Sequence, residues 1–265
     1  MAADPLKRWF LVLAALLLLG AAGASRAEPP PLAAVPIARL DLPWWKARHE
    51  AKLAEAKRGP VDLVLLGDSI THDYEMTGPE PFRDFRAVWR RFYGDRHALN
   101  LGFPGDATSH LLWRILHGEI DGIAPKAVVI LIGANNLGRL HWSGPDTVRG
   151  IEAVVAATHR RLPGAKILLL GVLPSDRGAW VTRTAAEINA ALAAEYGRGA
   201  LPYVTYFDAS PLFLRAGAVD TSLYYDPLES PPRPALHPSP EGQARMAAAI
   251  EPAISAMLAD RPHGP

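Results

Sequence analysis

The sequence predicts an α/β domain in which a parallel β-sheet of five strands is covered by helices on both faces. Five short, strongly apolar runs alternate with segments of helical composition, and such alternation is typical of parallel strands joined by helical crossovers. Several of these runs end in Gly or Asp, residues that commonly bound a strand. A chain of 265 residues, 49% hydrophobic and 21% charged, is long enough to bury the core that this sheet requires.

The first 27 residues have the organisation of a secretory signal peptide. Lys7 and Arg8 precede an apolar run that extends to about residue 24, and Ala27 completes a small-x-small cleavage site. We therefore predict a signal peptide over 1–27, cleavage after Ala27, and a mature protein in the periplasm or outside the cell. An uncleaved anchor is the alternative, although the apolar run is short for a membrane-spanning helix. The chain contains no cysteine, which excludes disulfides, a thiolate nucleophile and thiolate metal ligands.

The remainder is predicted as a proline-rich, extended lead-in over 28–43 and a folded domain over 44–265. The domain opens with a helix over 44–59, which stops at a Gly-Pro pair. The predicted strands are 61–66, 97–101, 127–132, 166–172 and 203–207. The other predicted helices are 80–93, 107–119, 145–161, 178–197 and 240–258.

A serine follows the first strand. In "LVLLGDSITHDYE" (63–75), Ser69 comes directly after Gly67 and Asp68. Its hydroxyl can cap the next helix, or it can be a nucleophile if a base removes its proton. The strained G-x-S-x-G turn of the α/β-hydrolases is missing from this chain. Because ligands bind outside the carboxyl ends of parallel strands, Ser69 and the loops after the next two strands are expected to open onto one crevice.

These two loops carry glycines and asparagines. In "NLGFPGDATSH" (100–110), Gly102 and Gly105 flank a tight turn before a helix that Asp106 or Thr108 could cap. Gly105 can offer its N–H to an anion, or the turn can be a plain strand-to-helix connection. In "GANN" (133–136), Asn135 can be a turn residue or can aim its amide at developing charge.

A histidine near the end of the chain is the best-placed base. His237 lies in "LHPSPEG" (236–242), where Pro238 and Pro240 stiffen the chain before the last helix. The sequence contains no H-E-x-x-H motif and no phosphate-binding P-loop, so no metal and no cofactor is expected. The net charge of +1 and the scattered basic residues give no basis for a nucleic-acid partner.

Together, four stretches in this order resemble the SGNH (GDSL) family of serine esterases and acylhydrolases. They are "GDS" (67–69), "NLGFPGD" (100–106), "GANN" (133–136) and "LHPSPEG" (236–242). Within the family, "HALNLGFPGDATSHLLWRI", "IGANNLG" and "LLLGVLPS" are most similar to the catalytic subunits of brain-type platelet-activating-factor acetylhydrolase. The resemblance implies a three-layer α/β/α sandwich with a flavodoxin-like sheet.

The resemblance also implies a role for each motif. Ser69 would be the nucleophile and His237 the general base. The N–H groups of Ser69 and Gly105, with the side chain of Asn135, would form the oxyanion hole. These four residues therefore constitute the expected catalytic core.

The chain departs from the family pattern at the acid. The family has an aspartate three residues before the histidine, where this sequence has Pro234. However, "YYD" (224–226), "PLESPPRP" and "ALH" together read like the family's motif split by an insertion of about eight residues. Asp226 is thus the predicted acid, and Glu229 is a weaker candidate. A Ser–His dyad with His237 held by a main-chain carbonyl is the alternative.

The expected function is an exported esterase that removes a short acyl group, acetyl in particular, from a carbohydrate or lipid ester through an acyl-enzyme. A non-hydrolytic glycan-binding relative and an acyltransferase acting on a sugar are the two alternatives. The expected partners are a small-molecule, glycan or lipid ester and no stable membrane association after signal cleavage. A homodimer is left open.

Overall fold

The five predicted apolar runs form a single parallel sheet in a computed structural model, which describes residues 29–263 apart from positions 198 and 200. The strands are β1 (Leu63–Gly67), β2 (Ala98–Gly102), β3 (Ala127–Leu131), β4 (Lys166–Leu170) and β5 (Val204–Phe207). Their order across the sheet is β2-β1-β3-β4-β5. The predicted fold class, a three-layer sandwich with a flavodoxin-like sheet, is confirmed. The predicted signal peptide lies outside the described residues.

The central strands are buried on both faces. In β1, Val64 and Leu66 belong to one apolar cluster, and Leu63 and Leu65 belong to a second cluster on the opposite face. Side chains alternate between the faces of a strand, so continuous apolar runs require cover on both sides. The helices that provide it are α1 (Pro43–Glu55), α2 (Ser69–His72), α3 (Arg86–Phe92), α4 (Thr108–Leu116), α5 (Ala134–Gly138), α6 (Gly144–Arg161), α7 (Ala179–Tyr196) and α8 (Pro240–Leu258).

Four segments differ from the sequence prediction. The helix expected over 80–93 is split into a 3₁₀ turn, Pro81–Arg83, and α3. The short helices α2 and α5 were not predicted, because four or five residues are too few to show a helical period. A small antiparallel hairpin, β6 (Leu214–Arg215) and β7 (Ala218–Val219), follows the last strand of the sheet.

The lead-in packs against the domain instead of forming a separate extended segment. Ala33 is buried in a 3₁₀ turn, and its carbonyl accepts a 2.8 Å hydrogen bond from Oγ1 of Thr108. The N–H of Ile37 donates to the carbonyl of Ser109 at 3.1 Å. The packed domain therefore begins near residue 31 and not at residue 44. Within the described residues, no helix combines the length and apolarity needed to cross a membrane.

The strand register places the candidate residues at one edge of the sheet. Gly67 at the end of β1 lies beside Gly102 of β2 on one side and Leu131 of β3 on the other. The loops that carry Ser69, Gly105 and Asn135 leave the sheet at these neighbouring points, as predicted from the ends of the strands.

Candidate active site

Ser69 lies at the amino end of α2, directly behind β1. The helix is capped by Asp68, whose Oδ1 accepts the N–H of Ile70 at 3.0 Å. The capping role considered for Ser69 therefore belongs to Asp68, and the Ser69 hydroxyl is available for another contact. Its Oγ lies 2.9 Å from Nε2 of His237. Gln243 of α8 donates to the carbonyl of Ile70 at 2.7 Å and so fixes α2 against the helix that follows the histidine.

Asp226 contacts the other nitrogen of His237. Its Oδ1 lies 2.7 Å from Nδ1 of the imidazole. Its Oδ2 accepts the backbone N–H groups of Leu236 at 2.8 Å and His237 at 2.6 Å. The insertion therefore loops out and returns to the acid, which is the contact that the split motif predicts. That Asp226 acts as the catalytic acid stays a prediction.

The two alternatives for the acid do not match this geometry. Glu229 contacts Arg233 and lies 3.7 Å from Nη1 of Arg83. A main-chain carbonyl as the partner of His237 Nδ1 is wrong, because the carboxylate of Asp226 occupies that position. Arg233 also approaches Asp226, with 3.4 Å between Nη2 and Oδ1.

The charged neighbours of His237 stabilise its protonated form. Burial lowers the pKa of the imidazole, but the hydrogen bond that it donates to Asp226 and the charges of Asp73 and Asp68 outweigh it. The pKa of His237 is therefore raised. Burial also raises the pKa of Asp226, yet its hydrogen bonds with His237 dominate, and the net pKa is lowered. An ionised Asp226 that accepts Nδ1–H leaves Nε2 unprotonated and ready to take the proton of Ser69.

Tyr225 and Asp73 support His237, and sequence reasoning missed both. The Tyr225 ring stacks on the imidazole, with 5.3 Å between ring centroids and an angle of 11° between the planes. The Tyr225 hydroxyl donates to Oδ2 of Asp73 at 2.9 Å. The tyrosine stands next to Asp226 in "YYD", so its position was visible in the sequence, but its packing was not.

The glycine loop after β2 is held by Asp106, whose carboxylate is fully buried. Oδ1 accepts Nη1 of Arg39 at 2.9 Å and Nε1 of Trp45 at 2.8 Å, and Oδ2 accepts Nε of Arg114 at 2.9 Å. The expectation that Asp106 or Thr108 caps α4 is wrong. Asp106 points into this cluster, and the N–H at the start of the helix, that of Ala107, donates to Nδ1 of His110 instead.

Arg114, also fully buried, connects the two strands that carry the site. It donates to the carbonyl of Gly67 at the end of β1 at 3.1 Å and to the carbonyl of Leu101 in β2 at 3.2 Å. It also pairs with Asp106 and with Glu119. One guanidinium thus fixes the strand behind Ser69 relative to the loop that bears Gly105. Nothing in the sequence distinguished Arg114 from an exposed helical arginine.

Asn135 and Asn136 have different environments. The side chain of Asn136 bonds to Thr108 and so joins α5 to α4. Its Oδ1 accepts the backbone N–H of Thr108 at 3.0 Å, and its Nδ2 donates to the Thr108 hydroxyl at 2.7 Å. Nδ2 of Asn135 donates to the carbonyl of Asp106 at 3.0 Å and lies 3.4 Å from Oδ2 of Asp68. Burial raises the pKa of Asp68 to about 7.

Gly105 has a φ of +74°, which favours glycine. The structure brings Ser69, Gly105 and Asn135 to one edge of the sheet, and their function as oxyanion donors stays a prediction. Over the described part of the chain, no group of three or more His, Asp or Glu side chains is arranged to hold a metal ion.

The sequence of this chain is similar to those of known proteins. The model of the family described as GDSL-like Lipase/Acylhydrolase matches residues 65–245. The platelet-activating factor acetylhydrolase IB subunit alpha2 of Gallus gallus is 31% identical over 201 residues, which cover 73% of this chain and 80% of that protein.

Solved structures extend the likeness to the fold. A GDSL-like lipase from Bacteroides thetaiotaomicron VPI-5482 superposes with a TM-score of 0.59 at 18% identity, covering 79% of this chain and 97% of the other. A carbohydrate esterase family 3 protein from Talaromyces cellulolyticus superposes with a TM-score of 0.56 at 18% identity, covering 76% and 99%.

Proposed function

The chain belongs to the GDSL-like lipase/acylhydrolase family, and we propose that it is an exported serine esterase that removes a short acyl group, acetyl in particular, from a carbohydrate or lipid ester. Membership of the family makes it a carboxylic ester hydrolase. The proposal adds the export, the acyl length, the class of alcohol and the role of each residue. The observation that carries it is the line of contacts from Ser69 through His237 to Asp226.

In the proposed reaction, Oγ of Ser69 attacks the carbonyl carbon of the ester while Nε2 of His237 accepts the hydroxyl proton. Asp226 stabilises the imidazolium that forms and keeps the ring in position. Collapse of the tetrahedral intermediate breaks the bond to the alcohol, which leaves with the proton from His237. Water, deprotonated by the same histidine, then attacks the acyl-enzyme, releases the carboxylic acid and regenerates Ser69.

The negative charge of each tetrahedral intermediate is assigned to the N–H groups of Ser69 and Gly105 and to Nδ2 of Asn135. The amide of Asn135 carries two N–H bonds. One of them is used by Asp106 at 3.0 Å, whereas the contact with Asp68 at 3.4 Å is long for a hydrogen bond. The second N–H can therefore exchange Asp68 for an oxyanion without loss of the bond that orients the side chain.

Different observations support the proposed acyl length and the proposed export. The curated relative is named an acetylhydrolase, which supports an acetyl group. The basic, apolar and small-residue regions of 1–27 support export. The alternative of a non-hydrolytic binding relative was suggested by the missing Asp three residues before His237, and Asp226 supplies the carboxylate at that histidine.

The proposal is tested with the mature chain, residues 28–265, and p-nitrophenyl esters of acetate, butyrate and octanoate. We expect the highest kcat/KM for acetate and the label of a fluorophosphonate on the peptide that contains Ser69. Ser230→Ala, at an exposed serine of the insertion, is the matched control and should behave like the wild type. A rate that increases with chain length would contradict the short acyl group, and a label on another serine would contradict the mechanism.

The alcohol and the location need separate measurements. Acetate release from an acetylated xylo-oligosaccharide and from an acetylated lysophospholipid compares the two classes of alcohol. Transfer of the acetyl group to an added sugar, in place of acetate release, would favour the acyltransferase. Amino-terminal sequencing of the protein recovered from outside the cytoplasm should begin at Glu28, and an intact amino terminus would contradict signal cleavage.

A further inference from the structure

Within the described residues, two arginines beside the candidate site lack a carboxylate partner. The charges of the buried arginines in this region are neutralised, since Arg39 pairs with Asp106 and Arg114 pairs with both Asp106 and Glu119. Arg139 and Arg177, by contrast, form no ion pair with any side chain in residues 29–263 outside positions 198 and 200. An arginine near a reaction centre without a counter-ion is suited to bind a negatively charged group of a ligand.

Arg139 extends over the glycine loop. A Cβ on Gly105 would collide with Nη1 of Arg139, so the guanidinium lies directly against the residue assigned to the oxyanion hole. Arg139 follows α5, which carries Asn135, and it is exposed. Its side chain forms no hydrogen bond within the described part of the chain. The cation is therefore accessible from the crevice and retains all of its donors.

Arg177 contacts the helix that bears Asn135 and is half-buried. Its guanidinium packs against Gly138, where a Cβ would collide with it. Nη2 donates to the carbonyl of Ala134 at 2.8 Å and Nε donates to Oγ of Ser175 at 3.1 Å. These neutral acceptors fix the direction of the side chain but leave its charge uncompensated, and burial lowers its pKa.

The acidic groups nearest to Arg177 do not replace a counter-ion. Asp68 and Asp226 act on Arg177 through space, without an ion pair within 4.0 Å. Asp226 is bonded to His237 and to two backbone N–H groups. Asp68 is buried, which raises its pKa to about 7 and so weakens its charge as a counter-ion. Arg177 therefore remains a cation that can attract an anionic ligand to the crevice.

We propose that Arg139 and Arg177 form an anion subsite, which binds a carboxylate or phosphate group of the substrate close to the ester bond. The inference rests on the proposed esterase function and narrows its substrates to anionic esters. Arg139 lies against Gly105, and Arg177 lies against Gly138 and the carbonyl of Ala134 in the helix that bears Asn135, so both guanidinium groups adjoin segments assigned to the oxyanion hole. A bidentate guanidinium contact recognises either a planar carboxylate or a tetrahedral phosphate.

We assign the rest of such a substrate to a cavity beside the chain neighbours of Arg177, although neither arginine itself lines that cavity. A cavity of about 790 Å³ between α7 and the β6–β7 hairpin is lined by Asp176 and Gly178, the chain neighbours of Arg177. Its wall also contains Val172, Ala186 and Leu214. A cavity of this size admits a monosaccharide or a short lipid fragment as the alcohol part of the ester.

The test compares charged and neutral esters of matched shape. One pair is 4-acetoxybenzoate and its methyl ester, and the second is 4-acetoxyphenyl phosphate and its dimethyl ester. The readout is the ratio of kcat/KM for the anionic ester to that for its neutral partner. We expect a wild-type ratio well above one, and we expect Arg139→Gln and Arg177→Gln each to lower it roughly tenfold, because each removes a charge-assisted contact.

The variants Arg139→Lys and Arg177→Lys should retain part of the ratio, because they keep the charge and lose the bidentate geometry. Arg160→Gln, at an exposed arginine of α6, is the control and should match the wild type. A higher ratio in the carboxylate pair identifies a carboxylate ligand, and a higher ratio in the phosphate pair identifies a phosphate. Equal losses for the anionic and neutral esters, or a wild-type ratio of one or less in both pairs, would overturn the subsite.

Failure of the subsite is distinguishable from failure of the proposed function. If the protein hydrolyses none of the four esters, the esterase proposal fails, and calorimetric binding of 4-hydroxybenzoate and 4-hydroxyphenyl phosphate still tests the arginines. Binding that is weakened by Arg177→Gln and by Arg139→Gln supports the subsite. Binding that is unaffected by both substitutions contradicts it.

Discussion

The two sides of the candidate site are held in place by different means. On the nucleophile side, the strand ends behind Ser69 and Gly105 are fixed by a fully buried charge cluster around Arg114 and Asp106. On the histidine side, the chain between residues 226 and 237 includes an exposed stretch over 230–234. The carboxylate of Asp226 closes this loop, together with backbone bonds from Tyr225 to His237 and from Arg233 to Asp226. The cluster around Arg114 is part of the core, so loss of its ion pairs should affect folding. The bonds of Asp226 close a single loop, so their loss should affect turnover instead.

The largest effect is expected where the two sides meet, at Ser69. Ser69→Ala removes the attacking oxygen and should lower kcat on p-nitrophenyl acetate by roughly 10⁶-fold. The substitution leaves the cap of α2 intact, because Asp68 provides it, so the melting temperature should change little. A variant that retains wild-type turnover would show that Ser69 is not the nucleophile.

The next effect tests the histidine side. Asp226→Asn should lower kcat by roughly 10⁴-fold, because an amide cannot hold the imidazole in the tautomer that accepts the serine proton. Glu229→Gln, in the same insertion, should stay within about twofold of the wild type, because Glu229 contacts arginines and not His237. Steady-state kinetics of both variants give the comparison. Equal effects of the two substitutions would contradict the assignment of the acid.

Arg114→Met is the corresponding test of the nucleophile side. It removes the guanidinium that Asp106 and Glu119 share. Because Arg39 and Trp45 still bond Asp106 and His49 still contacts Glu119, the free energy of unfolding should fall by about 3 kcal/mol, the lower end of the range for a broken buried ion pair. Chemical denaturation followed by circular dichroism measures the change. Asp226→Asn should lower the free energy of unfolding by much less, and a reversal of this order would break the distinction between the two sides.

Asn135→Ala separates catalysis from binding on the nucleophile side. Removal of one oxyanion donor should lower kcat by roughly 10²–10³-fold with a modest change in KM, because the charge develops only in the transition state. Asn136→Ala, which removes the bonds to Thr108, should instead lower the melting temperature. A loss confined to KM would make Asn135 a substrate-binding residue.

The smallest effect concerns the pH profile. Activity requires a neutral His237, so kcat/KM should fall as the pH drops through the pKa of His237, which its carboxylate neighbours raise. Asp73→Asn removes one of those charges and lowers that pKa, so the acidic limb of the profile should move to lower pH. A limb that stays in place would show that the charge of Asp73 does not act on the imidazole.

The sequence predicted the parts of the molecule that depend on local pattern. Five apolar runs gave the strands within a few residues, and the order of four motifs identified Ser69, Gly105, Asn135 and His237 as candidates. Asp226 was identified because "YYD" and "ALH" keep the motif recognisable on both sides of the insertion.

Contacts between distant residues were not predictable in this way. Arg114 looks like any helical arginine until its partners at Gly67 and Leu101 are known. The packing of Ala33 on Thr108 depends on a residue 75 positions away, and the proline-rich composition of the lead-in gave no indication of it.

The closure of the insertion by Asp226 has a use in protein engineering. Because the side chain of Asp226, at one end of the loop, accepts the N–H groups of Leu236 and His237 at the other end, the exposed stretch over 230–232 can change length while Asp226 and His237 keep their positions. A ligand-responsive peptide or small domain inserted there would connect its own folding to the distance between Asp226 and His237. The esterase would then become a biosensor whose colour-generating turnover reports an unrelated analyte.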